Sequence, residues 1–219
     1  CIILTGIIND HDIDRIIRDY LGLPVIVSTW DYIDVQRLRD AGFDIIQSTF
    51  PEHIAKLSVN YQMFSFLEGV RYAKTHGYTR FIRMRPDMYC TNVPKLLDAY
   101  QKKYTGKPMF LAYTKHAGGY LIDYSFMFDH EPPFRYQYDS DVRFPEKYIQ
   151  ESLFGSSNWE DLQRRVTLVL DDDFDFGWEG RPHTDSLHNH LKINGFEVET
   201  QISKKKGVFF DVGANIGSS

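Results

Sequence analysis

The sequence predicts an α/β fold: a central, mostly parallel, mixed sheet flanked by helices. Three observations carry this. Short apolar runs of strand length alternate with stretches of helical hydrophobic period through the first half of the chain. The runs are nearly continuous in apolar residues, as strands covered on both faces must be. Helical stretches stop at glycine, at Gly42 and Gly77, where the backbone must leave the right-handed helix.

Taken in order, residues 1–7 (CIILTGI) read as the first strand. Residues 12–20 set Ile13, Ile16, Ile17 and Tyr20 on one side of a helix. Residues 24–29 form a second strand, 34–41 a short helix and 43–47 a third strand. A long helix runs from residue 54 or 58 to 76, with Gly77 in the C′ position. An apolar run, residues 78–82, then leads into Arg83-Met84-Arg85-Pro86-Asp87. Residues 93–104 are helical and 108–113 a strand. In the second half, Gly118-Gly119 opens a long strand over residues 120–129, and residues 131–145 read as a loop over a site. A helix starts at Pro145 and runs to residue 154, with proline in its first turn. Asp171-Asp172-Asp173 opens an acidic, aromatic loop, residues 183–194 form a helix closed by Gly195, and residues 196–202 a last strand.

Composition narrows the function classes. The 219 residues are enough for one large domain, and 42% of them are apolar, which supports a real core. A formal net charge of -5 argues against a nucleic-acid partner, and the tight basic run Lys204-Lys205-Lys206 reads as a solvated linker. Cys1 and Cys90 make no disulfide framework, which points to a reducing, cytoplasmic compartment. No run is long enough to span a membrane, and the opening residues lack the basic start of a signal peptide. The sequence does not begin with Met, so leading residues are expected before Cys1.

The chemistry-bearing residues gather at strand ends. Arg83, Arg85 and Asp87 follow an apolar strand and share one face by the strand period of two. A carboxylate beside two guanidinium groups can hold a divalent metal and a diphosphate, and strand C-termini are where open α/β sheets bind ligands. Asp87 is the metal-ligand candidate. The alternative is a strand ending in a proline turn, its arginines paired to surface acids. Thr5-Gly6 and Ser28-Thr29-Trp30-Asp31 end the first two strands and fit a base or ribose contact, or else a turn and a helix cap. Asn60 and Gln62 near a helix start fit a nucleotide contact or ordinary capping. Asp123, an acid inside an aromatic strand, is a candidate base or acceptor contact, or a solvent-facing strand position. Glu146 is a second candidate acid, in a first helical turn where an acid also suits the helix dipole. His183, His188 and His190 lie near Asp185 without zinc-helix spacing, so His183 offers at most one metal or phosphate contact, or a solvated helix face.

The series Pro24-Val25-Ile26-Val27-Ser28-Thr29-Trp30, Asn60-x-Gln62, Arg83-x-Arg85-x-Asp87 and Asp123-x-x-Phe126 resembles the WavE-like lipopolysaccharide-synthesis glycosyltransferases, a GT-A group, over about residues 1–200. It is similar also to the N-terminal domains of chlorella-virus glycosyltransferase–methyltransferases that build a capsid glycan. The resemblance implies a GT-A fold with a Rossmann-like nucleotide-binding half, a UDP-sugar donor, and Mn or Mg as cofactor. It implies a glycan or glycoprotein acceptor, and rhamnose or glucose as the transferred sugar. It casts Asp87 as the last acid of the family's DxD motif, with Arg85 where the first acid stands. Thr5, Gly6, Thr29, Trp30, Asn60 and Arg83 then line the donor, Arg85 offsets leaving-group charge, and Asp123 and Glu146 serve the acceptor side. The tail Val208-Phe209-Phe210-Asp211-Val212-Gly213-Ala214-Asn215-Ile216-Gly217 is similar to the first S-adenosylmethionine-binding motif of FkbM-type methyltransferases. It implies a domain over residues 1–205, then a linker and the start of a fused methyltransferase at 206–219. Two other readings stay open: a fragment of such a methyltransferase, resting on the tail alone, and a non-catalytic carbohydrate-binding module, which the aromatic share of 15% permits.

Overall fold

Strict alternation of side chains along buried strands builds two cores, one on each face of a sheet. In the computed structural model, strand β1 (Ile2–Thr5) sends Ile2 and Leu4 into one core and Ile3 into the other. Strand β2 (Val25–Trp30) divides Val25 and Val27 from Ile26 in the same way. The first core is closed by α1 (Asp10–Tyr20), α2 (Gln36–Asp40) and α4 (Val93–Lys103), through residues such as Ile13, Ile16, Leu38 and Leu96. The second is closed by α3 (Val59–Thr75), α5 (Pro145–Phe154) and α6 (Trp159–Arg165), through Met63, Phe66, Ile149 and Leu162. The structure describes residues 1–51, 59–114, 119–134, 145–156, 158–171 and 173–178, with Leu187 and Val198–Glu199.

The main sheet has seven strands. Its parallel part runs β3 (Asp44–Ser48), β2, β1, β4 (Phe81–Met84). Beyond β4 lie β9 (Ser125–Phe128), β6 (Met109–Phe110) and β10 (Thr167–Leu168). Strand β9 is antiparallel to both β4 and β6, and β10 is parallel to β6. The predicted α/β architecture is therefore observed: a mostly parallel mixed sheet with helices on both faces. The chain steps outward from β1 to β3, then returns through α3 to place β4 on the other side of β1. The carboxyl ends of β1 and β4 thus flank a topological switch point, the place where such sheets open a ligand crevice.

Helix α3 lies close enough to the sheet to need glycine. A Cβ on Gly69 would fall 2.4 Å from Ile3 Cγ2 and 3.3 Å from the Ser28 Cβ. One turn earlier, Ser28 and Ser65 each donate a hydroxyl hydrogen to the other's carbonyl oxygen at 2.7 Å. These paired bonds satisfy polar groups that are fully buried between helix and strand.

Two expected strands are broken. The stretch 108–113 splits into β6 and β7 (Tyr113–Thr114), and the stretch 120–129 into β8 (Tyr120–Leu121) and β9. Strands β7 and β8 leave the main sheet and form a second one with β12 (Val198–Glu199), so Ile122–Tyr124 become the joint between two sheets. A third, two-stranded sheet pairs β5 (Met88–Cys90) with β11 (Phe176–Trp178). Helix α6 and strand β10 were not anticipated, although Asn158 is a visible cap and accepts from the Glu160 N–H at 2.8 Å. Outside the described residues lie the start of the long helix at 54–58, most of the loop at 131–145, Asp172, His183 with His188 and His190, nearly all of the helix at 183–194, the lysine run and the tail at 206–219. Among the described residues no helix is long and apolar enough to cross a membrane.

Candidate functional site

Strand β4 ends at Met84 because Pro86, with no N–H to give a ladder, follows two residues later. The two-residue period therefore does not carry Asp87 onto the strand face of Arg83, because Asp87 lies in the turn into β5. It meets Arg85 instead. Arg85 Nε donates to Asp87 Oδ1 at 2.9 Å and Nη2 to Oδ2 at 2.7 Å, a two-pronged ion pair. Burial disfavours the Arg85 charge, but the bonds to Asp87 outweigh it and push the guanidinium pKa up. The Arg85 head also lies 5.8 Å from the centre of the Tyr124 ring.

The turn is gripped from behind by a residue that sequence reading passed over. Arg15, on α1 and only 3% exposed, donates Nη1 to the Met88 carbonyl at 2.8 Å and Nη2 to the Pro86 carbonyl. Both carbonyls that flank Asp87 are thereby fixed. Asp12, one turn back and equally buried, neutralises Arg15 at 2.8 Å. The signal available was an acid and a base three residues apart on a helix whose neighbouring positions are isoleucines.

Arg83 shares the face of Phe81 and points into the second core's polar end. It is 1% exposed, with Nη1 donating to the Asp123 carbonyl at 2.6 Å and lying 3.4 Å from Asp123 Oδ2. Its Nη2 donates to Gln62 Oε1 at 3.0 Å, and its head lies 5.3 Å from the Phe126 ring centre. Burial lowers the Arg83 pKa against the pull of Asp123. Asp123 is itself buried, in the joint between β8 and β9, not on a solvent-facing strand position. Its Oδ1, the Arg83 Nε and the Thr5 hydroxyl are buried with no hydrogen-bond partner among the described residues. Unpaired buried polar atoms are rare, and each calls for a physical reason.

Glu146 joins this group through α5. One helical turn after it, Gln150 latches the helix to β8, accepting from the Leu121 N–H at 2.9 Å and donating to the Gly119 carbonyl at 3.3 Å. Burial, then the charge of Asp123, push Glu146 up to about 7, while Arg85 and Arg83 pull it down. Tyr120 is pushed up to about 12 by burial and by the same two acids. A carboxyl group whose pKa is raised to about 7, with a second acid beside it, is suited to acid–base chemistry near pH 7.

This arrangement has a stability signature. The folded Glu146 pKa lies above its ordinary value of 4.5, so its contribution is whole below that pH and is lost as pH rises through about 7. Glu146→Gln, which mimics the neutral form, should match the parent in stability at pH 4 and exceed it by roughly 2–3 kcal/mol at pH 8. Thermal melts of both proteins across that range check this; parallel curves would remove the buried acid pair.

The residues expected from sequence to line a donor divide. Thr5 and Gly6 do end at the switch point, where Gly6 holds φ at 132° and a Cβ there would stand 3.5 Å from Pro86 Cδ. Thr29 is fully buried and donates its hydroxyl to the Gly6 carbonyl at 2.7 Å. Trp30 is 1% exposed and stacks on Phe50 at 4.6 Å. Both side chains serve the scaffold. Asn60 is likewise buried, and the Gln62 amide oxygen is taken by Arg83.

No protein-family model and no curated protein matches the chain.

The expected Mn or Mg finds poor support in this geometry. Both oxygens of Asp87 are forked by Arg85, and His183 lies outside the described residues. Among the described residues no group of three or more His, Cys, Asp or Glu side chains is placed to hold a metal ion. The described residues as arranged do not fit a metal centre. The charges gathered at the carboxyl end of β4 are two guanidinium groups, Arg83 and Arg85, with the carboxyl groups of Asp87, Asp123 and Glu146.

Proposed function

We propose that this chain is a glycosyltransferase domain of GT-A type, which takes a UDP-sugar and passes the sugar to a hydroxyl of a growing glycan. The observation that carries the reading is the convergence of Arg83, Arg85, Asp123 and Glu146 at the switch point, with Asp123 Oδ1 and the Thr5 hydroxyl unpaired. In such a transfer the bond between the anomeric carbon and the diphosphate oxygen breaks, and a bond to the acceptor oxygen forms. The acceptor hydroxyl must lose a proton, and the leaving diphosphate gains negative charge. Asp123 is the base for the first need, with Glu146 beside it as the proton-carrying acid. Arg85 meets the second need with a fork that matches a phosphate. Arg83, locked in place, supplies fixed positive charge behind it. The parallel β3-β2-β1-β4 order supports a nucleotide-binding half.

The test is calorimetric titration with UDP, UMP and uridine, followed by turnover on a panel of UDP-sugars. UDP is expected to bind roughly tenfold or more tightly than UMP, because the guanidinium groups read the second phosphate. Equal affinity for UDP and uridine, or no binding of any of the three, would sink the reading.

A further inference from the structure

Arg83 and Arg85 differ in their freedom. Arg83 is 1% exposed, and both terminal nitrogens are committed to partners on α3 and at the β8–β9 joint. Arg85 is 27% exposed on its side chain, and among the described residues its side-chain hydrogen bonds run from Nε and Nη2 to Asp87, whose side chain is 32% exposed. Arg15 pins the carbonyls on either side of Asp87, which anchors the backbone that carries its carboxylate. A carboxylate and a phosphate present the same pair of oxygens to a guanidinium fork. Asp87 therefore already occupies, from within the chain, the position on Arg85 that a diphosphate ligand needs.

We infer that Asp87 is a specificity-determining residue that competes with the ligand's phosphate for Arg85. A ligand displaces it only by offering more negative charge than a carboxylate does, which favours a diphosphate over singly charged groups. Arg85 then turns from Asp87 to the ligand, with no bond made or broken covalently. This rests on the reading of the site as a diphosphate site, and it runs against the role of a metal ligand for Asp87. A ligand of diphosphate loses affinity when removed; a competitor raises affinity when removed.

The experiment is titration of inorganic pyrophosphate and of UDP, in buffer containing EDTA, against the parent chain, Asp87→Asn, Asp87→Ser and the double variant Arg85→Ala/Asp87→Ser. Serine is included because an asparagine oxygen can still accept from Arg85. Asp87 is part-exposed in a turn, and circular dichroism confirms that each variant is folded. Asp87→Ser is expected to bind both ligands roughly three- to tenfold more tightly than the parent, and the double variant to lose that gain. Unchanged or weaker binding by Asp87→Ser, with UDP still bound by the parent, overturns the competition and leaves the transferase reading standing. A gain for pyrophosphate without binding of UDP keeps the competition and removes the UDP-sugar donor. Binding of neither ligand by any variant overturns both.

Discussion

Asp123→Asn is expected to lower the turnover of sugar transfer by roughly two to four orders of magnitude, the range lost when a positioned general base is removed. UDP affinity should change little. The strongest tie between Arg83 and this residue is to its main-chain carbonyl at 2.6 Å, which the substitution leaves in place. Asparagine is also isosteric and keeps one oxygen to face the guanidinium. What it cannot do is accept a proton through the buried, unpaired Oδ1. The measurement is kcat with a UDP-sugar beside a calorimetric UDP titration of the same protein. Turnover within twofold of the parent would remove Asp123 from the chemistry. A parallel loss of UDP binding would make it part of the donor site instead.

Arg15→Leu is expected to be the most damaging single change to the fold among those considered. Asp12 is 1% exposed, and among the described residues its cationic partner at hydrogen-bond distance is Arg15. Removing one member of a buried ion pair costs about 3–5 kcal/mol, because the charge left behind has neither water nor a counter-ion. The Pro86 and Met88 carbonyls would lose their donor as well. For a chain of this size the melting temperature should fall by on the order of 10 °C. Adding Asp12→Asn should recover a large part of this, since the amide is uncharged and its oxygen can still accept from the Asn9 N–H that caps α1. Melting curves of the single and double variants decide it. If the double variant is no more stable than Arg15→Leu, the ion pair is not what holds the turn.

In the parallel half, β1, β2 and β4 were legible because their residues are buried and largely apolar, whereas β3, at the sheet edge, is only partly buried and reads as Asp-Ile-Ile-Gln-Ser. Helices α1 and α2 and the end of α3 fall within a few residues of expectation, and Gly77 closes α3 at φ 80°, in the left-handed region. The second half was less legible because strand direction and sheet membership leave little mark on a sequence. Nothing in residues 120–129 announces that the chain changes sheets at Asp123. The acids and arginines singled out as candidates do gather at one end of β4. Arg15 and Gln150 were missed because they act on backbone carbonyls and N–H groups far away in the chain, which side-chain identity does not report. Thr29 and Trp30 were read as ligand contacts for the opposite reason: a residue at a strand's carboxyl end can turn to the ligand or to its own scaffold, and here both turn inward.

The joint at Ile122–Tyr124 has an evolutionary consequence. The parallel strands β1, β2 and β4 fix Thr5, Gly6 and the base of the arginine pair, while Asp123 belongs to a crossing between two sheets and Glu146 rides on a separately latched helix. A shift of the joint at Ile122–Tyr124 or of α5 re-aims these two acids while the switch point stays as it is. Under the proposed transferase reading, one half of the domain is thus free to change toward new acceptors while the other keeps its grip on the donor.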